Sequence, residues 1–105
     1  MSTITLDRQY FGATPKYHLE IEAGTLTMAD YDFNVRLQRG PNAYEVKKNE
    51  MIEDRGDYYF ILDTTRLGIG PVQVIVTADI PDNDVDGGIR TEIVVINNSI
   101  EILPL

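Results

Sequence analysis

A chain of 105 residues is one domain's worth of sequence, and its 17 acidic against 9 basic residues set a formal charge of −8, which opposes docking on phosphate backbones or anionic lipid. With no cysteine, a disulfide framework, a thiolate metal site and a Cys nucleophile are all excluded. The opening MSTITLDRQYFG lacks a basic and apolar leader pattern, and no apolar run approaches the roughly 18 residues that span a bilayer, so a soluble, unprocessed chain is expected.

Residues 1–14 are weakly patterned and read as an N-terminal arm, with Ile4 and Leu6 able to add an edge strand to this domain or to a neighbour. From residue 15 to 105 the sequence reads as a single domain whose apolar pattern has period two. Tyr17, Leu19 and Ile21 alternate with His18, Glu20 and Glu22; Phe33, Val35 and Leu37 alternate with Asn34, Arg36 and Gln38. Each run predicts a half-buried strand. Met28, Tyr31 and Val35 could share a helical face, but the strict alternation from Phe33 to Leu37 favours the strand. Tyr44 and Val46 make a shorter strand, and Tyr58 to Leu62 an aromatic and aliphatic one. Val72, Val74, Val76, Ala78 and Ile80 form the longest alternating face, and Ile93 to Ile96 and Ile100 to Leu103 close the chain. Ala23-Gly24, Gly40-Pro41-Asn42, Arg55-Gly56-Asp57, Gly68-Ile69-Gly70-Pro71, Asp86-Gly87-Gly88 and Asn97-Asn98 are turn signals between them. About seven short strands with regular turns predict an all-β antiparallel sandwich or barrel.

Charge concentrates in one place. Residues 79–92 hold Asp79, Asp82, Asp84, Asp86 and Glu92 against Arg90. Asp82, Asp84, Asp86 and Gly87 match the start of an EF-hand loop, which needs oxygen ligands at alternate positions, then glycine, then a bidentate Glu late in the loop between two helices. Here the late position falls on Ile93, Glu92 comes one residue early, and both flanks are strand-like. The loop is not an EF-hand. A calcium site between strands, using Asp82, Asp84 and Asp86, stays open beside the simpler reading: a hairpin with Asp86-Gly87 as its two-residue turn, where Arg90 could pair with Asp84 or Asp86.

Catalytic chemistry has few possible actors. His18 is the one histidine and falls on the polar side of a strand. Ser2 and Ser99 lie near the termini outside any nucleophile elbow, and Gly68-Ile69-Gly70-Pro71 lacks the lysine and helix of a phosphate loop. No enzyme is expected. Asn97-Asn98-Ser99 fits a glycosylation sequon, but the turn reading accounts for it. Of the six tyrosines, Tyr58 and Tyr59 point to opposite faces if their run is a strand, which places one in the core and one outside.

The course Asp30-Tyr31-Asp32-Phe33, then Tyr59 to Leu62 followed by Asp63-Thr64-Thr65-Arg66-Leu67-Gly68-Ile69-Gly70, then the Val-rich strand ending Ile80-Pro81-Asp82, resembles immunoglobulin-like accessory domains of tailed bacteriophages, particularly phages of gut Bacteroidales. The similarity covers approximately residues 15–103. It implies an immunoglobulin-like sandwich in which Leu67 plugs the sandwich end and Gly70 opens the next strand. It further implies a virion structural protein, assembled in the bacterial host cytoplasm, whose partners are other virion proteins such as the major capsid protein. An auxiliary capsid, or decoration, protein fits a free-standing domain, with a tail or baseplate adaptor next. Contacts would come from the arm and the apolar end: Ile4, Leu6, Tyr10, Phe11, Ile102, Leu103 and Leu105. A calcium-assisted glycan-binding or adhesion module is the rival, and an acidic DNA mimic a third reading.

Overall fold

The computed structural model describes residues 7–105, and the side chains of all of these except Asn98 and Ser99. Ile4 and Leu6, and Ser2, therefore lie outside the described residues. Eight strands form two sheets: β1 (Asp7–Tyr10), β2 (Lys16–Leu19), β3 (Asp32–Arg39), β4 (Asn42–Lys47), β5 (Ile52–Asp54), β6 (Asp57–Ile61), β7 (Gly70–Pro81) and β8 (Ile89–Leu103), with a one-turn helix α1 (Thr64–Leu67) between β6 and β7. The five-stranded sheet runs β1-β8-β7-β3-β4 and the three-stranded sheet β2-β6-β5. Every pairing is antiparallel except β1 with β8, which is parallel from Asp7 opposite Ile100 to Tyr10 opposite Leu103.

Alternation in the sequence becomes alternation in burial. Phe33, Val35 and Leu37 of β3, Val72 to Ile80 at every second position of β7, Tyr44 of β4 and Ile100 and Ile102 of β8 point inward. They meet Leu19, Tyr58 and Phe60 from the small sheet in one shared core, which Leu62 and Leu67 close at one end. Phe33 and Tyr58 join the sheets edge to face at 5.1 Å, a geometry the ring quadrupoles favour. The helical alternative over Met28 to Gln38 reduces to one 3-10 turn at Met28–Asp30, where the Asp30 carboxylate accepts from the Thr27 amide at 2.8 Å.

One expectation is corrected, and one strand is added that the sequence reading did not contain. Asn97-Asn98 is not a turn: β8 is continuous, and the stretches Ile93 to Ile96 and Ile100 to Leu103 are one strand. Val72 stands opposite Ile100 while Val74 stands opposite Ile96, so β8 carries extra residues across from Gln73 and bulges there. Asn97 Oδ1 accepts from Gln73 Nε2 at 2.7 Å within that bulge. The added strand is β5, which is too short and too exposed at all three residues to show an apolar period. It is held by the β5–β6 hairpin, whose Arg55-Gly56 turn has positive φ at both positions, 54° and 86°, as type I′ requires.

Around α1 the chain is bolted together by polar groups with defined partners. Asp63 caps the helix by accepting from the Thr65 amide at 3.1 Å. That bond and the Thr65 hydroxyl, foremost, hold its carboxyl below the ordinary value. Thr64 is fully buried; its hydroxyl donates to the Ala13 carbonyl at 2.7 Å and accepts from the Gly12 amide at 2.9 Å. These bonds fix the crossing from β1 in one sheet to β2 in the other. Leu67 has no exposed surface, and Gly70 is the first residue of β7 with φ at 134°. Arg39 donates to the Leu67 carbonyl at 2.6 Å, and its side chain would lie 3.1 Å from a Cβ at Gly70. Both the backbone angle and that close approach call for glycine.

Candidate interaction surface

The acidic stretch is the tip of the β7–β8 hairpin, but its turn differs from the expected one. Strand pairing stops at Pro81 opposite Ile89, and residues 82–88 form a wider loop in place of a two-residue Asp86-Gly87 turn. The physical reason lies in Asp82. Its carboxylate accepts from the Asp84 amide at 2.9 Å, while its amide donates to the Gly88 carbonyl at 2.9 Å. The side chain thus forms a local turn that competes with the ladder, and Gly87 and Gly88, with φ of 88° and 76°, let the chain return.

Arg90 pairs with Asp82 at 2.6 Å and lies 3.1 Å from Glu92, not with Asp84 or Asp86 as expected. Opposite Arg90 is Ile80, so its guanidinium lies over the inner face beside the strand end where Asp82 begins the loop. Among the described residues, no group of three or more acids or histidines is arranged to hold a metal ion. Asp82 is committed to Arg90 and the loop backbone, whereas Asp84 and Asp86 are exposed.

His18 lies on the outer face of the small sheet. It is exposed, 3.4 Å from Asp57 and 5.1 Å from the Tyr59 ring. Lys16 covers the same ring at 4.9 Å. Tyr58 is buried and Tyr59 faces outward, as the alternation predicts. An open groove of about 590 Å³ runs beside Lys48 and is lined by both acids and lysines. Lys48 itself donates to the carbonyls of Ala29 and Tyr31 at 3.2 and 2.7 Å.

The terminal residues singled out as contacts separate into two kinds. Tyr10 and Phe11 are 56% and 40% exposed and Leu105 is almost wholly exposed, whereas Ile102 belongs to the core at 1%. Leu103, half-buried, stands opposite Tyr10, and its carbonyl accepts from the Phe11 amide at 2.9 Å. Ile102 is therefore corrected from contact residue to core residue. Its register opposite Gly70 turns it inward, while its neighbours turn out.

The sequence reading missed the rest of this surface. Ile93, Val94 and Val95 are 63%, 54% and 49% exposed, and Ile89 is exposed as well. β1 covers β8 from Ile100 to Leu103 among the described residues. Among the described residues, the stretch of β8 before Ile100 has β7 on one side and no strand on the other. An edge of this kind presents a row of unpaired backbone donors and acceptors. Val94 shares the inward face with Val76, while Ile93 and Val95 share the outward face with Thr77 and Ile75, so the edge is apolar on both sides. One signal was available: Ile93-Val94-Val95-Ile96 does not alternate, and such runs belong to strands covered on both faces. Here Ile93, Val94 and Val95 are exposed instead.

An exposed apolar surface lies along β8 at Ile89 and Ile93 to Val95, separated by the polar Asp7, Arg8 and Gln9 of β1 from Tyr10, Phe11 and Leu105 at the far end. It offers backbone hydrogen bonding and apolar side chains without a concave pocket, which is the chemistry of strand addition. Comparison with family models, curated proteins and solved structures finds no match to any of them.

Proposed function

We propose that this chain is a non-enzymatic, immunoglobulin-like accessory domain of a bacteriophage virion. It would act as an auxiliary capsid protein that binds the particle through many copies of one modest contact. The observation that carries the reading is the exposed apolar stretch of β8 at Ile93 to Val95, which has no second strand beside it among the described residues. Monomeric domains rarely leave such an edge bare, and contiguous apolar surface marks a place where another chain binds.

Three features support the immunoglobulin-like part. A first strand lies parallel to the last, the sheet β1-β8-β7-β3-β4 faces the sheet β2-β6-β5, and a one-turn corner joins β6 to β7. In that corner Leu67 is buried and Gly70 opens β7, in keeping with the roles the sequence resemblance implies. The virion part rests on that resemblance together with the surface. Decoration gains its strength from avidity: a weak contact repeated over a shell holds where a single one would dissociate.

The test is quantitative mass spectrometry of purified particles, giving this chain's copy number relative to the major capsid protein. Near-stoichiometric abundance supports decoration, a handful of copies moves the chain to a tail or baseplate fitting, and absence from particles overturns the virion reading.

A further inference from the structure

We propose that the stretch of β8 before Ile100, which has no second neighbour among the described residues, pairs antiparallel with the same stretch of a second copy, about a two-fold axis through Val94. The two five-stranded sheets would then join into one continuous sheet. The inference rests on the reading of β8 as the interaction surface, but it concerns the purified chain alone, so it can fail while the virion reading stands, and the reverse.

Three observations lead to it. First, β1 already adds to this edge from Ile100 to Leu103, so the edge accepts extended backbone, and the free stretch continues the same line. Second, its side chains are complementary to themselves. A two-fold axis normal to the sheet keeps inner side chains beside inner ones. With Val94 opposite Val94, Ile93 stands opposite Val95, Glu92 opposite Ile96 and Thr91 opposite Asn97. β-branched residues meet at the centre, which is a favourable cross-strand pairing.

Third, charge allows a second copy at this place and disfavours it elsewhere. The chain carries −8, and self-association over most of its surface would set acid against acid. Residues 93–100 carry no charged side chain. In the proposed register Glu92 stands opposite Ile96 and Thr91 opposite Asn97, so no like charges stand directly opposite from residue 91 to residue 97.

The experiment is sedimentation velocity on the wild-type chain, on Val94→Lys, on Val94→Glu and on an equimolar mixture of the two variants, each checked by circular dichroism. Val94 is 54% exposed, so its replacement leaves the core intact. The wild type is expected to be a dimer at micromolar concentration. Each variant alone is expected to be monomeric, because like charges then stand directly opposite. The mixture is expected to recover the dimer by pairing lysine with glutamate.

A wild-type chain that stays monomeric overturns the proposal; dimerisation on removal of residues 1–6 would then identify that segment as the competing occupant. A dimer that survives both variants overturns it, as does a mixture that stays monomeric beside a dimeric wild type. Should the Val94 variants lose the wild-type circular dichroism, Val95→Lys, on the outer face, reads the same edge: monomer supports the pairing and dimer overturns it.

Discussion

Tyr17 shows how one side chain ties two sheets. It belongs to β2, yet its hydroxyl donates to Asp7 of β1 at 2.5 Å and accepts from Gln9 at 3.1 Å. Burial, and then the neighbouring Asp7 carboxylate, push the phenol well above its ordinary value; the Tyr17 bond first and Gln9 second hold Asp7 below its own. The signs follow from linkage. The depressed Asp7 contributes stability that is present above its unfolded value of 3.8 and lost as pH falls through its folded one. The raised Tyr17 favours the folded state up to its unfolded value of 10.0, and stability falls as pH rises beyond it. Tyr17→Phe should cost about 1 to 2 kcal/mol at neutral pH, as expected for a bond to a charged acceptor. Melting temperature against pH checks this: the variant's curve should lie below the wild type's at neutral pH and approach it at both the acid and alkaline ends. Parallel curves would show that the Asp7 contact does not set the pH dependence.

At the scale of elements, the corner between β6 and β7 is where the chain passes from the three-stranded to the five-stranded sheet. Leu67 is completely buried at the end of the core, and its carbonyl accepts from both Arg39 and Asn42, at 2.6 and 2.9 Å. Tyr44 adds a second tie, donating to the Ile61 carbonyl and accepting from the Asp63 amide. Leu67→Ala removes the plug but keeps the backbone bonds, so the loss should be that of a core cavity, about 2 to 5 kcal/mol. Urea denaturation would read it as a lower midpoint with an unchanged slope. A loss below about 1 kcal/mol would mean that the corner collapses to fill the space. Part of this corner was legible in the sequence: Gly68-Ile69-Gly70-Pro71 is a turn signal and the resemblance gave Leu67 and Gly70 their roles, whereas the one-turn helix capped by Asp63 was not read. Thr64's bonds to Gly12 and Ala13 were not legible either, since those partners lie some fifty residues away in the chain.

For the whole molecule, the charge of −8 acts as self-repulsion spread over an otherwise apolar framework. Raising ionic strength from about 0.01 to about 0.15 M shortens the screening length from roughly 30 to 8 Å, so the melting temperature should rise with salt. Calcium should raise it no more than magnesium at equal concentration, because Asp82 is engaged by Arg90 and the loop backbone. A calcium-specific increase, abolished by Asp84→Ala, would instead return the hairpin tip to the list of metal sites. Thermal scans in sodium, magnesium and calcium chloride distinguish the outcomes.

The sequence by itself determined the class of fold and most of the core: period-two alternation places Phe33, Val35, Leu37 and the β7 valines inward because neighbouring side chains on a strand point to opposite faces. It also located the acidic hairpin, since an Asp- and Gly-rich stretch between two apolar runs has few other uses. Three things were decided only by tertiary structure. Asn97-Asn98 could have turned the chain, but pairing with β7 on both sides of it made a bulge instead. Ile102 and Leu103 are both apolar, and only their register against β7 and β1 put one inside and the other toward the surface. The bare edge at Ile93 to Val95 exists because β1 stops covering β8 at Ile100 among the described residues. A sequence shows that a strand is apolar, whereas which strand lies beside it depends on contacts between distant parts of the chain.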